Sequence, residues 1–289
     1  TVVPDPSEAD LLYGNGDQRC NRILNVSAHE GGHIPPAENS DPYRRTWTLP
    51  QVFSQADDAL YYANQFIFRT RDRGKTWQKI SPDLTRVNPP VPANLDAVTA
   101  KDVAEPTTSR FGVVYALGPS PLNAKMVWAG TDDGLIYVTR DDGAHWSNVT
   151  PPPMTAWSRV SGIEASHFDA ATAYASVDRH RLADDRPYIY RTQDGGRTWR
   201  NVAEGIPDGA FVNAIKEDPR QKGLLYAATE LRVYVSFDGG DHWQPLQLNM
   251  PVVSVRDLVV HGDDRDIATF GRGFWVLDQM SVLRQIAGK

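Results

Sequence analysis

The sequence predicts an all-β fold of repeated, short four-stranded sheets, and three observations carry that prediction. One pattern, Ser/Thr-x-Asp-x-Gly-x-x-Trp, is written four times, and an internal repeat decides architecture before any local motif does. A strand-like run precedes each copy: Phe66–Phe68, Ile136–Val138, Tyr188–Tyr190 and Val233–Val235. The composition, with 22 glycines, 21 prolines and 8 tryptophans in 289 residues, suits many strands joined by many turns. No helix-period segment of convincing length is present.

The four copies are Thr70–Trp77, Thr139–Trp146, Thr192–Trp199 and Ser236–Trp243. Each places an aspartate (Asp72, Asp141, Asp194, Asp238), a glycine (Gly74, Gly143, Gly196, Gly240) and a tryptophan (Trp77, Trp146, Trp199, Trp243) in register. After the strand the chain must reverse. The aspartate can bond backbone N–H groups two residues on and hold a tight turn. The glycine accepts the positive φ of a hairpin corner. The tryptophan opens the return strand and supplies a large apolar plug for a neighbouring sheet. All twelve residues therefore read first as parts of the fold.

These residues resemble the Asp box, or BNR repeat, of sialidase-like, sortilin-like and xyloglucanase-like β-propellers, where it closes the outer hairpin of a blade. Ile80–Thr85, Val160–His167, Leu224–Tyr226 with Glu230, and Asp266–Trp275 extend the likeness. With them, the stretch from about Trp47 to Arg284 is similar to large secreted bacterial proteins named as sortilin-like or BNR-repeat glycosyl hydrolases. The resemblance implies a β-propeller of four-stranded blades and a secreted or periplasmic location.

Taken in order, residues 1–40 read as an incomplete blade. Leu11–Tyr13 and Arg22–Val26 are its strands, and only Thr1–Val3 precedes Pro4, so its first strand is nearly missing. Blades follow over Thr46–Leu84, Phe111–Thr150, Val160–Asn201 and Phe211–Leu248, and a last unit without the repeat covers Val253–Leu283. The repeated aspartates are separated by 69, 53 and 44 residues, against roughly 40–50 for one blade. The excess in the first interval falls in residues 86–109, a proline-rich stretch read as a long inter-blade loop. The expectation is about six blade units in one propeller domain over 1–289, or in part of a larger one, with the first unit incomplete.

A net charge of −6 argues against a nucleic-acid surface. No stretch reaches the ~20 apolar residues of a membrane helix. Cys20 is the single cysteine, so no internal disulfide forms. The chain begins at Thr1 without methionine and reads as a mature or excised piece. Asn25-Val-Ser27 and Asn148-Val-Thr150 have the form of glycosylation sites, a common tripeptide.

His29-Glu-Gly-Gly-His33 spells a zinc-protease motif. That chemistry needs a helix, and two glycines followed by Pro35 and Pro36 favour a loop. No metal or other cofactor is expected, and no phosphate loop or nucleophile pair appears. A sialidase would need an arginine triad; Arg44, Arg45 and Arg69 stand in the wrong contexts. A xyloglucanase-like glycosidase needs an acid and a base carboxyl across a cleft. Asp132, Asp133, Glu164, Asp178, Asp184 and Glu230 fall on expected loop tips, where a solvated carboxylate is the ordinary reading. No catalytic residue is assigned.

The densest polar constellation is Arg159, Glu164, His167, Asp178, His180 and Arg181, with Glu230, Arg232, Arg256 and Arg272 at matching places in the following blades. It reads as the candidate binding face, against a plainer role in salt bridges between blades. The expected function is a sortilin-like, Asp-box propeller that binds peptides or proteins without catalysis by this chain alone. One alternative is a glycoside hydrolase, xyloglucanase- or sialidase-like, contributing part of a polysaccharide cleft. A third is a structural subunit packing on identical copies or on the remainder of a longer polypeptide.

Overall fold

The computed structural model describes residues 2–8, 10–14, 21–24, 30–33, 43–44, 46, 48–104, 112–246, 249–261, 264–278 and 280–288. The chain is an all-β propeller of four-stranded blades. It divides into two compact units, Thr1–Trp157 and Ser158–Lys289. The first carries sheets β1(Val2–Pro4)–β2(Leu11–Gly14)–β3(Asn21–Leu24)–β4(Glu30–His33), β5(Gln51–Phe53)–β6(Leu60–Ala63)–β7(Ile67–Thr70)–β8(Gln78–Lys79) and β9(Val114–Pro119)–β10(Val127–Thr131)–β11(Ile136–Thr139)–β12(Ser147–Asn148). The second carries β13(Arg159–Ala165)–β14(Ala173–Arg179)–β15(Asp184–Thr192)–β16(Arg200–Asn201), β17(Val212–Glu217)–β18(Leu225–Thr229)–β19(Val233–Ser236)–β20(Gln244–Pro245) and the three-stranded β21(Val255–His261)–β22(Asp264–Thr269)–β23(Phe274–Leu277). Every sheet is an antiparallel meander.

Among the described residues complete four-stranded blades number five, where about six units were expected. The incomplete one is last, not first. Val2–Pro4 pairs with β2 in the register Val2↔Gly14, Val3↔Tyr13 and Pro4↔Leu12. Proline cannot donate to a ladder, but it is tolerated on an edge strand, so three residues suffice. Glu30–His33 is strand β4 rather than a loop or a helix; His29, Cys20, Arg45 and the Asn25 tripeptide lie outside the described residues. Helices α1(Ala97–Ala104), within the 86–109 stretch, and α2(Ser281–Ala287), after β23, interrupt the β pattern.

Central strands read as unbroken apolar runs because both faces are covered. On β18, Leu225 and Ala227 pack with Val212 and Ile215 of their own sheet and with Tyr174 and Ile189 of the blade before, while Tyr226 and Ala228 pack with Val255, Leu258 and Ile267 of the sheet after. The period of two thus divides one strand between two cores. In the first unit Tyr61, Ala63 and Ile67 meet Val114, Val127 and Ala129 in the same manner.

The four repeated corners share one hydrogen-bond pattern. The leading hydroxyl donates to the aspartate two residues on: Thr70 to Asp72 (2.8 Å), Thr139 to Asp141 (3.0 Å), Thr192 to Asp194 (2.9 Å) and Ser236 to Asp238 (2.8 Å). It also accepts the glycine N–H four residues on, at 2.8 to 3.0 Å. The aspartate accepts the backbone N–H of Thr76, His145, Thr198 or His242, four residues on rather than two, at 2.8 to 2.9 Å. Those bonds, with the side chains of the same four residues, hold Asp72, Asp141 and Asp194 near a pKa of about 2. All four glycines have φ between 81° and 98°.

The tryptophan then locks one blade to the blade before. Trp146 Nε1 donates to the Ile80 carbonyl at 2.8 Å, and Trp243 Nε1 to the Val202 carbonyl at 2.7 Å. Ile80 and Val202 each directly follow the outer strand of the preceding blade, and each donates its own N–H back to the third strand, Ile80 to Ile67 and Val202 to Ile189. Trp77 packs instead against Tyr62, 6.4 Å between ring centroids.

This lock predicts two costs. Trp243→Ala removes a buried indole and strands the Val202 carbonyl, so it should lose about 3–5 kcal/mol of stability. Gly205 has φ +98°, and a Cβ there would lie 2.2 Å from the Trp243 carbonyl oxygen. Gly205→Ala should therefore cost at least about 1–3 kcal/mol. Urea unfolding midpoints against wild type check both; a shift smaller than that of a surface Ala substitution would show that the lock carries no load.

Candidate functional site

Ser158–Lys289 has two ends, and the register of its strands distributes the predicted polar residues between them. At one end β13 begins, with Arg159 opposite Asp178 near the end of β14. There too Val212 opens β17 opposite Thr229, and Val255 opens β21 opposite Thr269. Arg159, Asp178, His180, Arg181, Glu230, Arg232, Arg256 and Arg272 collect at this end. Glu164 and His167 do not. Five residues along an extended strand is about 16 Å, which carries Glu164 to the opposite end, the side of the repeated corners.

The first end holds a continuous row of side chains. Asp178 is fully buried and accepts from Arg159 Nη2, from the His180 N–H (2.9 Å) and from His180 Nδ1 (2.6 Å). Burial pushes the Asp178 carboxyl up, but the His180 and Arg159 contacts outweigh it and hold the carboxyl at about 2. The His180 ring stacks on Phe211 with centroids 5.3 Å apart. The Phe211 carbonyl accepts the Glu230 N–H at 3.0 Å. Glu230 accepts from the Ser254 hydroxyl at 2.7 Å and pairs with Arg256 at 3.6 Å. The Arg256 guanidinium lies 5.2 Å from the centre of the Phe270 ring.

The row ends on the β22–β23 turn. Gly271 and Gly273 have φ +83° and +72°, and Thr269 closes the turn on the Gly273 carbonyl at 2.7 Å. Exposed Arg272 sits between two exposed rings, Phe270 at 72% and Phe274 at 84%. Phe211, Phe270 and Phe274 escaped the sequence reading, which followed charge. Exposed phenylalanines bracketing Gly-Arg-Gly were the available signal, because an apolar ring left in water on a tight turn has no packing reason to be there.

The carboxylates expected on solvated loop tips are mostly held. Asp133 is buried and takes the Thr131 hydroxyl (2.5 Å) and the Arg86 N–H (2.7 Å); its carboxyl is raised by burial. Asp132 is buried and caps the Val113 N–H at 2.8 Å. Asp184 accepts from Arg186 (2.9 Å) and from the Tyr188 hydroxyl (2.9 Å), and Arg186 holds it at about 2.

At the other end Glu164 meets Lys216 at 3.1 Å and His167 at 3.4 Å, while the His167 N–H donates to Glu217 at 2.7 Å. Burial raises Glu217; it would raise Glu164 too, but Lys216 and His167 bring Glu164 below its ordinary value. Lys216 and Glu217 also escaped the sequence reading. They lie on β17 with alternating exposure, and only the neighbouring blade brings Glu164 to them.

Comparison with known proteins places this geometry in a family context. No family model matches the chain. It is 25% identical over 200 residues, 68% of its length, to a protein of Neosartorya fischeri named "Probable oligoxyloglucan-reducing end-specific xyloglucanase". It is 30% identical over 106 residues, 36% of its length, to the oligoxyloglucan-reducing end-specific xyloglucanase of Emericella nidulans. The matches span 23% and 13% of those relatives, so the chain corresponds to less than a quarter of either. Among solved structures, an ancestral GH74 enzyme superposes on 96% of the chain with a TM-score of 0.58, at 14% identity and over 38% of its own length. The likeness of that structure establishes the propeller fold, and the relatives stand on the xyloglucanase side of the resemblance.

The Arg159–Asp178–His180 contact has a measurable pH signature. Asp178 falls from an ordinary 3.8 to about 2, so its contribution of about 2 kcal/mol is fully present above the unfolded value and is lost as pH falls through the folded one. Asp178→Asn should cost about 3–5 kcal/mol near pH 7 by leaving Arg159 uncompensated. The gap to wild type should narrow as pH drops below about 4. Urea unfolding across that range checks it; a gap that is constant with pH would show that the carboxylate charge is not what stabilises this end.

Proposed function

We propose that the chain is a segment of a glycan-acting propeller protein and contributes part of a polysaccharide cleft. The non-catalytic peptide-binding module expected first is the weaker reading, since the curated relatives reported above carry xyloglucanase names. The observation that carries the proposal is the row from His180 through Phe211, Glu230 and Arg256 to Phe270 and Phe274. It sets aromatic faces beside charged donors and acceptors, the combination a sugar polymer requires: ring faces for its C–H surfaces, charges and amides for its hydroxyls. Asp178, Asp184 and Glu230 are all engaged by arginine or histidine, so the row fits binding and orientation. The cleft's acid and base belong to the wider protein. Export to the periplasm or the cell exterior accompanies this reading, because a plant-wall-type polymer is met outside the cell. The four corners are Asp boxes in the same reading, supported by their common bond pattern.

One feature favours peptide binding as a second reading. Strand β23 is the outer strand of a three-stranded sheet, exposed at alternate residues, and an extended peptide could add to it. A single experiment separates the two. Isothermal titration of xyloglucan oligosaccharides should show binding by wild type, weakened about tenfold or more by the double change Phe270→Ala and Phe274→Ala. Absence of binding, or equal binding by the variant, would sink the glycan reading.

A further inference from the structure

A buried cationic cluster lies away from that row, where the start of β22, strand β18 and helix α2 meet. Arg265 is fully buried, and its guanidinium carbon stands 3.1 Å from the centre of the Tyr226 ring. Its Nη2 donates to the Met280 sulfur at 3.7 Å. Its Nε and Nη1, and the buried Tyr226 hydroxyl, have no hydrogen-bond partner among the described residues. The acid nearby is already spent. Asp218, fully buried, accepts from Arg284 Nε at 3.0 Å and from the Arg220 and Gln221 N–H groups at 2.9 and 3.1 Å. Among the described residues Asp218 engages Arg284, and no carboxylate is bonded to Arg265. A ring face returns only about 2 kcal/mol to a desolvated cation, far less than an unpaired buried charge costs. Burial lowers the Arg265 pKa to about 10, which still leaves it charged at neutral pH.

We infer that Arg265 and Tyr226 form a binding site for a small inorganic anion of chloride size. The open donors are cationic or phenolic, so they select an anion. Arg265 is fully buried, so the anion it would take is a halide rather than a phosphate, a peptide or a sugar. The site pins β22, of a sheet with three strands among the described residues, to β18 beneath α2.

The test uses halide as the probe. At constant ionic strength, replacing gluconate by chloride or bromide should raise the melting temperature of wild type by several degrees, following the mass-action law for a ligand bound only by the folded state. Arg265→Met should abolish that dependence. Should that variant fail to fold, Tyr226→Phe keeps the ring and removes one donor, and its halide dependence should be weaker than that of wild type. Crystals soaked in bromide should show an anomalous peak within hydrogen-bond reach of Arg265 Nε or Nη1. A melting temperature indifferent to halide, a response undiminished in the variants, or water at that position with no bromide peak would each overturn the assignment.

Discussion

The contact on which this architecture depends is the corner that closes a blade and reaches into the blade before it. A hydroxyl, a carboxylate and a glycine N–H fix the turn within eight residues. The indole that follows donates to a carbonyl some forty to sixty-six residues earlier in the chain. A local turn is thereby coupled to the packing of whole sheets. The turn costs little to form, since its donors and acceptors are near in sequence. It presents the indole already aimed, and burial of that ring does the rest.

From this follows the arrangement of the polar ends. Strands covered on both faces leave only their termini for charged groups, so arginines and acids gather there and pair. Asp178 with Arg159 and His180, Glu230 with Arg256, and Glu164 with Lys216 and His167 are all such termini. The aromatic row in Ser158–Lys289 is built on them. Its charged members are held in place by pairing with one another and with their neighbours.

The residues of the sequence constellation from Arg159 to Arg181 are divided between two ends. Arg159, Asp178, His180 and Arg181, with Glu230, Arg232, Arg256 and Arg272, do share an end; Glu164 and His167 were drawn in by proximity along the chain. An extended strand separates neighbours in sequence faster than any other element, so nearness in number says little about nearness in space. The expectation that the carboxylates sit in solvent failed for a related reason. Asp133 is buried because Arg86, 47 residues earlier, closes over it, and nothing within a few residues of Asp133 announces that.

What the amino-acid order determined by itself was local: the all-β class, the third strand of each complete blade that ends in a repeat, the four corners and their glycines, and the packing of Trp77, Trp146 and Trp243. These rest on turn chemistry and on a period of two, both of which act within a few residues. Tertiary structure alone decided that the first sheet is complete and the last is not. It also decided which end each charge occupies, and that Arg265 lies buried over Tyr226. Those outcomes depend on register and on what a neighbouring sheet brings, and neither is encoded within the reach of a single turn.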